Sequence, residues 1–143
     1  MRIITIFCLL FTVVLGACSQ STKPIEYGKD NCHYCQMKIM DPKFGTEAVT
    51  KKGRVYKFDS SECLLRYLND SDQEHSHIVV TDFASPKTFV GADSAWFLVS
   101  KNMPSPMGGF LNAFSDKGTA EKFKNEKGGD LHDWSSIKSA YDR

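Results

Sequence analysis

The chain has 143 residues and a mass of 16.1 kDa, room for one compact domain or two very small ones and too little for a large multidomain enzyme. Its 41% hydrophobic and 24% charged content is that of a soluble globular protein, and ten Phe, five Tyr and two Trp spread along it argue against disorder. With 18 basic against 17 acidic residues and no recurring basic stripe, an electrostatic grip on nucleic acid is excluded.

Residues 1–17 open with Arg2, run through apolar Ile3 to Leu15 and close on Gly16 and Ala17, the layout of a secretory leader too short for a stable membrane span. The ending Leu15, Gly16, Ala17, Cys18 resembles the lipobox of bacterial lipoproteins, which implies cleavage before Cys18 and lipidation of its thiol. The polar stretch that follows lacks apolar periodicity, so residues 18–30 read as a tether between a lipid anchor and a folded body. Thr46 to Thr50 and Val55 to Phe58, with a Lys51, Lys52, Gly53 turn between them, predict a β-hairpin. A helix should follow, capped by Asp59 or Ser60, with Glu62 in its first turn and Cys63, Leu64, Tyr67 and Leu68 on one face. His75 and His77, in the polar run Ser71 to His77, read as solvated loop residues, and Ile78 to Phe83 as a third strand.

Asp82 to Asp93, with Pro86 and Gly91, reads as a join, after which the order repeats. Ala95 to Ser100 and Gly109 to Phe114 predict strands, and Asp116 to Lys127 a helix stopped by Gly128 and Gly129. Leu131 to Trp134 is a weaker strand and Ser135 to Tyr141 a short terminal helix. Phe58 and Phe114 are each followed nine positions later by an aromatic, Tyr67 and Phe123, directly behind Arg66 and Lys122, which favours an internal duplication. The expected fold class is α+β: two related ββαβ subdomains, residues 31–83 and 84–143, joined by a short linker after the lipoprotein leader and tether.

Cys8 falls in the leader and Cys18 would carry lipid, which leaves Cys32, Cys35 and Cys63 in the folded part. That odd number does not fit a closed disulfide framework and points to thiol or metal chemistry. Cys32, His33, Tyr34, Cys35, Gln36, Met37, Lys38, Ile39, Met40 place four sulfur atoms within nine residues. Thiolates and thioethers are soft donors that favour Cu(I), whereas zinc draws on cysteine and histidine and gains little from methionine. Thioethers also form no disulfides, which suits a metal site facing an oxidising envelope.

A second group, Met103, Pro104, Ser105, Pro106, Met107, Gly108, Gly109, sits in a stiffened loop. There Met107, beside two glycines, is preferred over Met103 as a ligand, with core filling as the alternative role for a methionine. Met40 suits core and ligand roles equally, and His33, flanked by two thiols, is a possible donor that more often points away. A thioredoxin-like use of CxxC fits poorly, because Glu26 to Asn31 is polar and turn-forming where a buried strand is needed. A closed zinc site from Cys32, Cys35, Cys63 and one histidine competes with copper, and a Cys32 to Cys35 disulfide would be an off state. No Ser, His and acid arrangement or glycine-rich phosphate loop marks catalysis, so no enzyme activity is expected.

On these residues the chain resembles the NosL family, lipid-anchored copper proteins that accompany nitrous oxide reductase. The resemblance covers the lipobox at Cys18, the motif Cys32 to Met37, the strand and helix Val55 to Tyr67, and the Met107, Gly108 loop. It implies two related ββαβ subdomains on the periplasmic side of a bacterial membrane. It also implies a role in holding Cu(I) and passing it toward nitrous oxide reductase, with an ABC-type membrane complex as intermediary. The family's Cys, Gly, Met triplet matches at Cys35 and Met37, with Gln36 in place of glycine, and its second-half methionine maps onto Met107; Cys32 is an additional thiol. The expected ligands are thus Cys35, Met37 and Met107 with Cys32, and Met40, Met103 and His33 as further candidates. The first half also looks like treble-clef modules of the TRASH and YHS type, which implies a structural zinc site as the alternative. Those modules commonly carry a cysteine where Asp59 stands, so Cys63 is expected to be a buried helix-face residue and not a ligand.

Overall fold

The turn at Lys51, Lys52 and Gly53 closes as expected, because Gly53 supplies a left-handed backbone (φ 80°) and donates its N–H to Thr50 O at 2.8 Å. In the computed structural model, which describes residues 21–141, this turn joins β1 (Thr46–Thr50) to β2 (Val55–Phe58). The leader, Cys8 and Cys18 lie outside the described residues. β1 is buried along its whole length because it is an inner strand of a four-stranded antiparallel sheet of order β2-β1-β3-β4. Helix α1 (Ser61–Asp70) follows, with Ser60 at the N-cap position in extended backbone. The side chain of Ser60 makes no cap bond; its Oγ is buried without a partner. α1 turns Cys63, Leu64, Leu65 and Tyr67 inward and Arg66 outward, the amphipathic division its sequence predicts.

β3 (His75–Thr81) starts earlier than the apolar run Ile78 to Phe83 suggests, so His75 and His77 are strand residues and not loop residues. They pair with Thr50 and Val49 of β1 across a bulge, and His75, half-buried, lies 3.4 Å from the Tyr67 hydroxyl through Nε2. The backbone ladder offered by β1 outweighs the polarity of that run. The segment read as a join, Asp82 to Asp93, contains β4 (Phe89–Gly91), which pairs with Val79–Thr81 and is too short to show a period.

The second sheet, order β6-β5-β7, holds β5 (Trp96–Val99), β6 (Leu111–Phe114) and β7 (Asp130–His132), all antiparallel. Between β6 and β7 lies α2 (Lys117–Lys127). Asp116 Oδ1 caps α2 by accepting Thr119 N–H, and Gly128 ends it at φ 71°. β6 begins two residues after Gly109 because Phe110, at φ 58°, belongs to the preceding loop. Trp134 leaves the predicted last strand and opens α3 (Trp134–Tyr141). The fold is thus mixed α and β, with two small antiparallel sheets and three helices among the described residues.

One apolar cluster runs through both halves, joining Ile25, Cys32, Phe58 and Cys63 to Phe97, Leu111 and Ile137. A smaller one, Leu98, Met103, Phe114 and Ala120, lies under α2. The segment read as a tether is docked from Lys23 onward. Lys23 N–H donates to Glu47 Oε2 (3.0 Å), Ile25 is buried, and Lys57 Nζ reaches Pro24 O (2.8 Å) and Asp30 Oδ2 (2.6 Å). Its partners sit on β1 and β2, far along the chain, so local composition does not reveal them. Among the described residues no helix is long and apolar enough to cross a membrane.

Candidate metal centre

The stretch after Asn31 folds back on itself into a knuckle. Cys32 N–H donates to Met37 O (2.7 Å), Gln36 N–H donates to Cys32 O (3.0 Å), and Asn31 bridges Lys38. Gln36 takes the left-handed conformation (φ 63°), with its Nε2 donating to His33 O at 2.7 Å. His33 N–H bonds to Lys57 O at 2.8 Å, which fixes the knuckle against β2 and beside the first turn of α1. The Sγ atoms of Cys32, Cys35 and Cys63 consequently lie within 4.8 Å of one another, all as free thiols. Among the described residues this is the one group of three or more His, Cys, Asp and Glu donors close enough to share a metal ion. A metal–sulfur bond of about 2.3 Å sets sulfurs on one ion roughly 4 Å apart, so the spacing suits a single thiophilic ion.

The three sulfurs are not equivalent. The Cys32 thiol is pulled down to about 5 by donation from the Cys63 thiol, against the cost of burial, with help from the N–H groups of Cys35, Asp59 and Tyr34. Cys63 is pushed up because it is the donor in that pair and is fully buried, and burial also raises Cys35. Charge is thus favoured at Cys32 over its two neighbours, while half-buried Cys35 is the least buried cysteine of the group. Asp59 is buried behind this site, and its carboxyl is pushed up to about 6 by burial and by the negative charge of Cys32. It is not one of the grouped donors.

Of the residues singled out from sequence, Cys32 and Cys35 meet as expected, and Cys63 joins them where a buried bystander was expected. The treble-clef likeness of the run Tyr56 to Cys63 is the sequence signal for this placement, although Asp59 stands where those modules carry a cysteine. Cys63 is both buried and part of the group, because the buried first turn of α1 faces the knuckle. Met37 and Met40 are 51% and 63% exposed, and with Tyr34 they are the exposed large apolar residues among those described. Met40 is thus no part of the core. His33 is exposed and stacked on Tyr56 at 4.3 Å, outside the thiol group. No histidine joins the three thiols, so the closed Cys3His arrangement is not formed.

Met103 fills the smaller core at 5% exposure. Met107 is half-buried against the main cluster, the one that contains Cys32 and Cys63. Its loop is fastened to α1: the buried Ser105 hydroxyl hydrogen-bonds to Glu62 Oε1 and accepts Leu111 N–H at 3.2 Å. A Cβ at Gly109 would stand 2.8 Å from Glu62 Cγ and 2.7 Å from the Tyr141 hydroxyl, so that close approach requires glycine.

The NosL family model matches residues 24–141. The crystal structure of the copper chaperone NosL from Shewanella denitrificans is similar at 28% identity and a TM-score of 0.74, over 85% of this chain and 98% of that one. No curated protein matches the sequence.

Proposed function

The chain belongs to the NosL family, and on that premise we propose that it is a metallochaperone that binds one Cu(I) and hands it on. The observation that carries the reading is the group of three thiols without a fourth His, Cys, Asp or Glu, its outermost member Cys35 bordered by the exposed thioether of Met37. Three soft donors suit Cu(I), and an incomplete shell near solvent lets an incoming thiolate or thioether add before the first ligands leave. A closed four-ligand zinc site would release its metal slowly. Cys32, Cys35 and Cys63 are ligands in this reading. Met37 and Met107 are thioether donors at the surface and from the second half, and Met40 is an outer one. The resemblance at Cys18 supports lipid attachment to a bacterial membrane, with the body facing the periplasm. The client is nitrous oxide reductase, reached through an ABC-type membrane complex. Residues 31–83 and 84–143 are two related ββαβ units in this reading, supported by the matching orders β2-β1-β3 and β6-β5-β7, although β4 (Phe89–Gly91), beyond residue 83, is added to the edge of the first sheet.

Anaerobic titration of the reduced full chain in mild detergent with Cu(I) against a competing chelator, in parallel with Zn(II), tests this reading. One tightly held Cu(I), weakened by Cys35→Ser and by Met107→Ala, is the expected result. Tight Zn(II) indifferent to Met107, with unfolding on chelation, would move the function to a structural zinc module. In cells, loss of the protein should leave nitrous oxide reductase deficient in copper.

A further inference from the structure

Glu62 is an acidic side chain with no exposed surface, and its place invites a role. Its Oε1 holds the Ser105 hydroxyl, while Oε2 has no protein partner. Burying a carboxylate this incompletely satisfied costs stability, so the position calls for a compensating function. Glu62 directly precedes Cys63 in the first turn of α1. Ser105 is two residues before Met107, and Ser105 Oγ in turn accepts Leu111 N–H. The loop is thus pinned at its start by Ser105 and at its end by Leu111, with Gly109 pressed against the Glu62 side chain between them. Phe110 sits left-handed at φ 58°, a conformation costly for a bulky residue and held by the surrounding contacts.

We propose that Glu62 and Ser105 are positioning residues that latch the Met107 loop onto the helix carrying Cys63, so that a thioether from the second half is presented to the thiols of the first. This deepens the copper reading and rests on Met107 being a ligand. Outer partners of this kind orient a donor without touching the metal, and losing one weakens metal binding about 10–100-fold.

The test follows the ¹³C-methyl resonance of Met107 and the near-ultraviolet copper–thiolate absorption while Cu(I) is added anaerobically to the full chain in detergent. In Ser105→Ala and in Glu62→Leu, which removes the acceptor without adding a soft donor, the Met107 methyl should stop responding to Cu(I) while the thiolate absorption persists. Affinity should fall by the same factor as in Met107→Ala and fall no further when either change is combined with it. Ser105→Thr and Glu62→Gln retain a hydroxyl and an acceptor oxygen and should restore the response. A Met107 response that survives in both latch variants, losses that multiply with Met107→Ala, or loss of the thiolate absorption along with the methyl response would overturn the latch. A Met107 methyl silent in the unmodified protein would overturn the Met107 assignment itself and the latch with it. Absence of the thiolate absorption there would sink the copper reading as a whole.

Discussion

In the first half Phe58, at the end of β2, meets Tyr67 of α1 with ring centroids 5.0 Å apart at 41°; in the second, Phe114, at the end of β6, meets Phe123 of α2 at 5.0 Å and 37°. From those shared anchors the two helices begin differently. After Phe58 the first turn is turned inward, and Asp59, Ser60, Ser61, Glu62 and Cys63 are all buried. After Phe114 the equivalent Asp116, Lys117 and Gly118 are exposed. The loops differ in the opposite sense: β1 and β2 are joined by four residues, whereas β5 and β6 are joined by a long excursion that returns to Glu62. One half buries polar and sulfur groups at a helix start, and the other extends a loop toward them. The three thiols that meet all belong to the first half, and the second half contributes the loop fastened to the helix beside them.

The sharpest test of that division is the aromatic pair. Phe58→Ala and Phe114→Ala should each destabilise the protein by about 3–5 kcal/mol, the usual cost of removing a buried aromatic, as read by denaturant melts. Phe58→Ala should also weaken Cu(I) binding by the protein that remains folded, since Phe58 packs in the cluster that holds Cys32 and Cys63, while Phe114 packs with Met103 under α2. Equal copper defects in the two variants would break the comparison.

Next in size is Cys63→Ser, expected to lower Cu(I) affinity roughly 100-fold, or about 2.7 kcal/mol. Competitive titration reads this directly, and an unchanged affinity would return Cys63 to the role of a packing residue.

Hairpins, helices and the glycine stop at Gly128 are legible in the sequence because each depends on neighbours a few residues away. β4 and the docking of Lys23 to Glu47 depend on distant strands, and nothing local announces them. The metal centre divides in the same way. Cys32 and Cys35 share a knuckle and declare themselves, whereas Cys63 joins them only when α1 packs its first turn inward. Ser105 has no signature at all until Glu62 is seen beside it.

A smaller effect separates the two helix starts. Asp116→Ala should lower the melting temperature by removing the bond from Thr119 N–H, whereas Ser60→Ala should be neutral or stabilising by up to about 1 kcal/mol, because Ser60 Oγ is buried without a partner. The Asp116 contribution also depends on pH. Donation from Thr119 holds its carboxyl below the ordinary 3.8, so the stabilisation is fully present above that value and disappears as acid takes the pH down through the lowered one. Melts of the two alanine variants between pH 7 and pH 2 should show the Asp116→Ala deficit closing in acid and the Ser60→Ala difference staying flat.

The smallest expected effect concerns position 36, in the turn of the knuckle. Gln36 is left-handed at φ 63°, the conformation that glycine reaches without steric cost, so Gln36→Gly relieves roughly 1 kcal/mol of backbone strain. The same change loosens the unfolded chain by about 0.4–1 kcal/mol and removes the Gln36 Nε2 bond to His33 O, which is exposed. These contributions oppose one another, so the melting midpoint should barely move. Cu(I) affinity should stay within about twofold, or 0.4 kcal/mol, because the backbone bonds that shape the knuckle, Cys32 to Met37 and Gln36 to Cys32, use no side-chain atom of residue 36. A large loss of copper in Gln36→Gly would show that the glutamine side chain holds the knuckle in shape. The first half's donors would then rest on a side-chain strut, as Met107 does on Ser105 and Glu62.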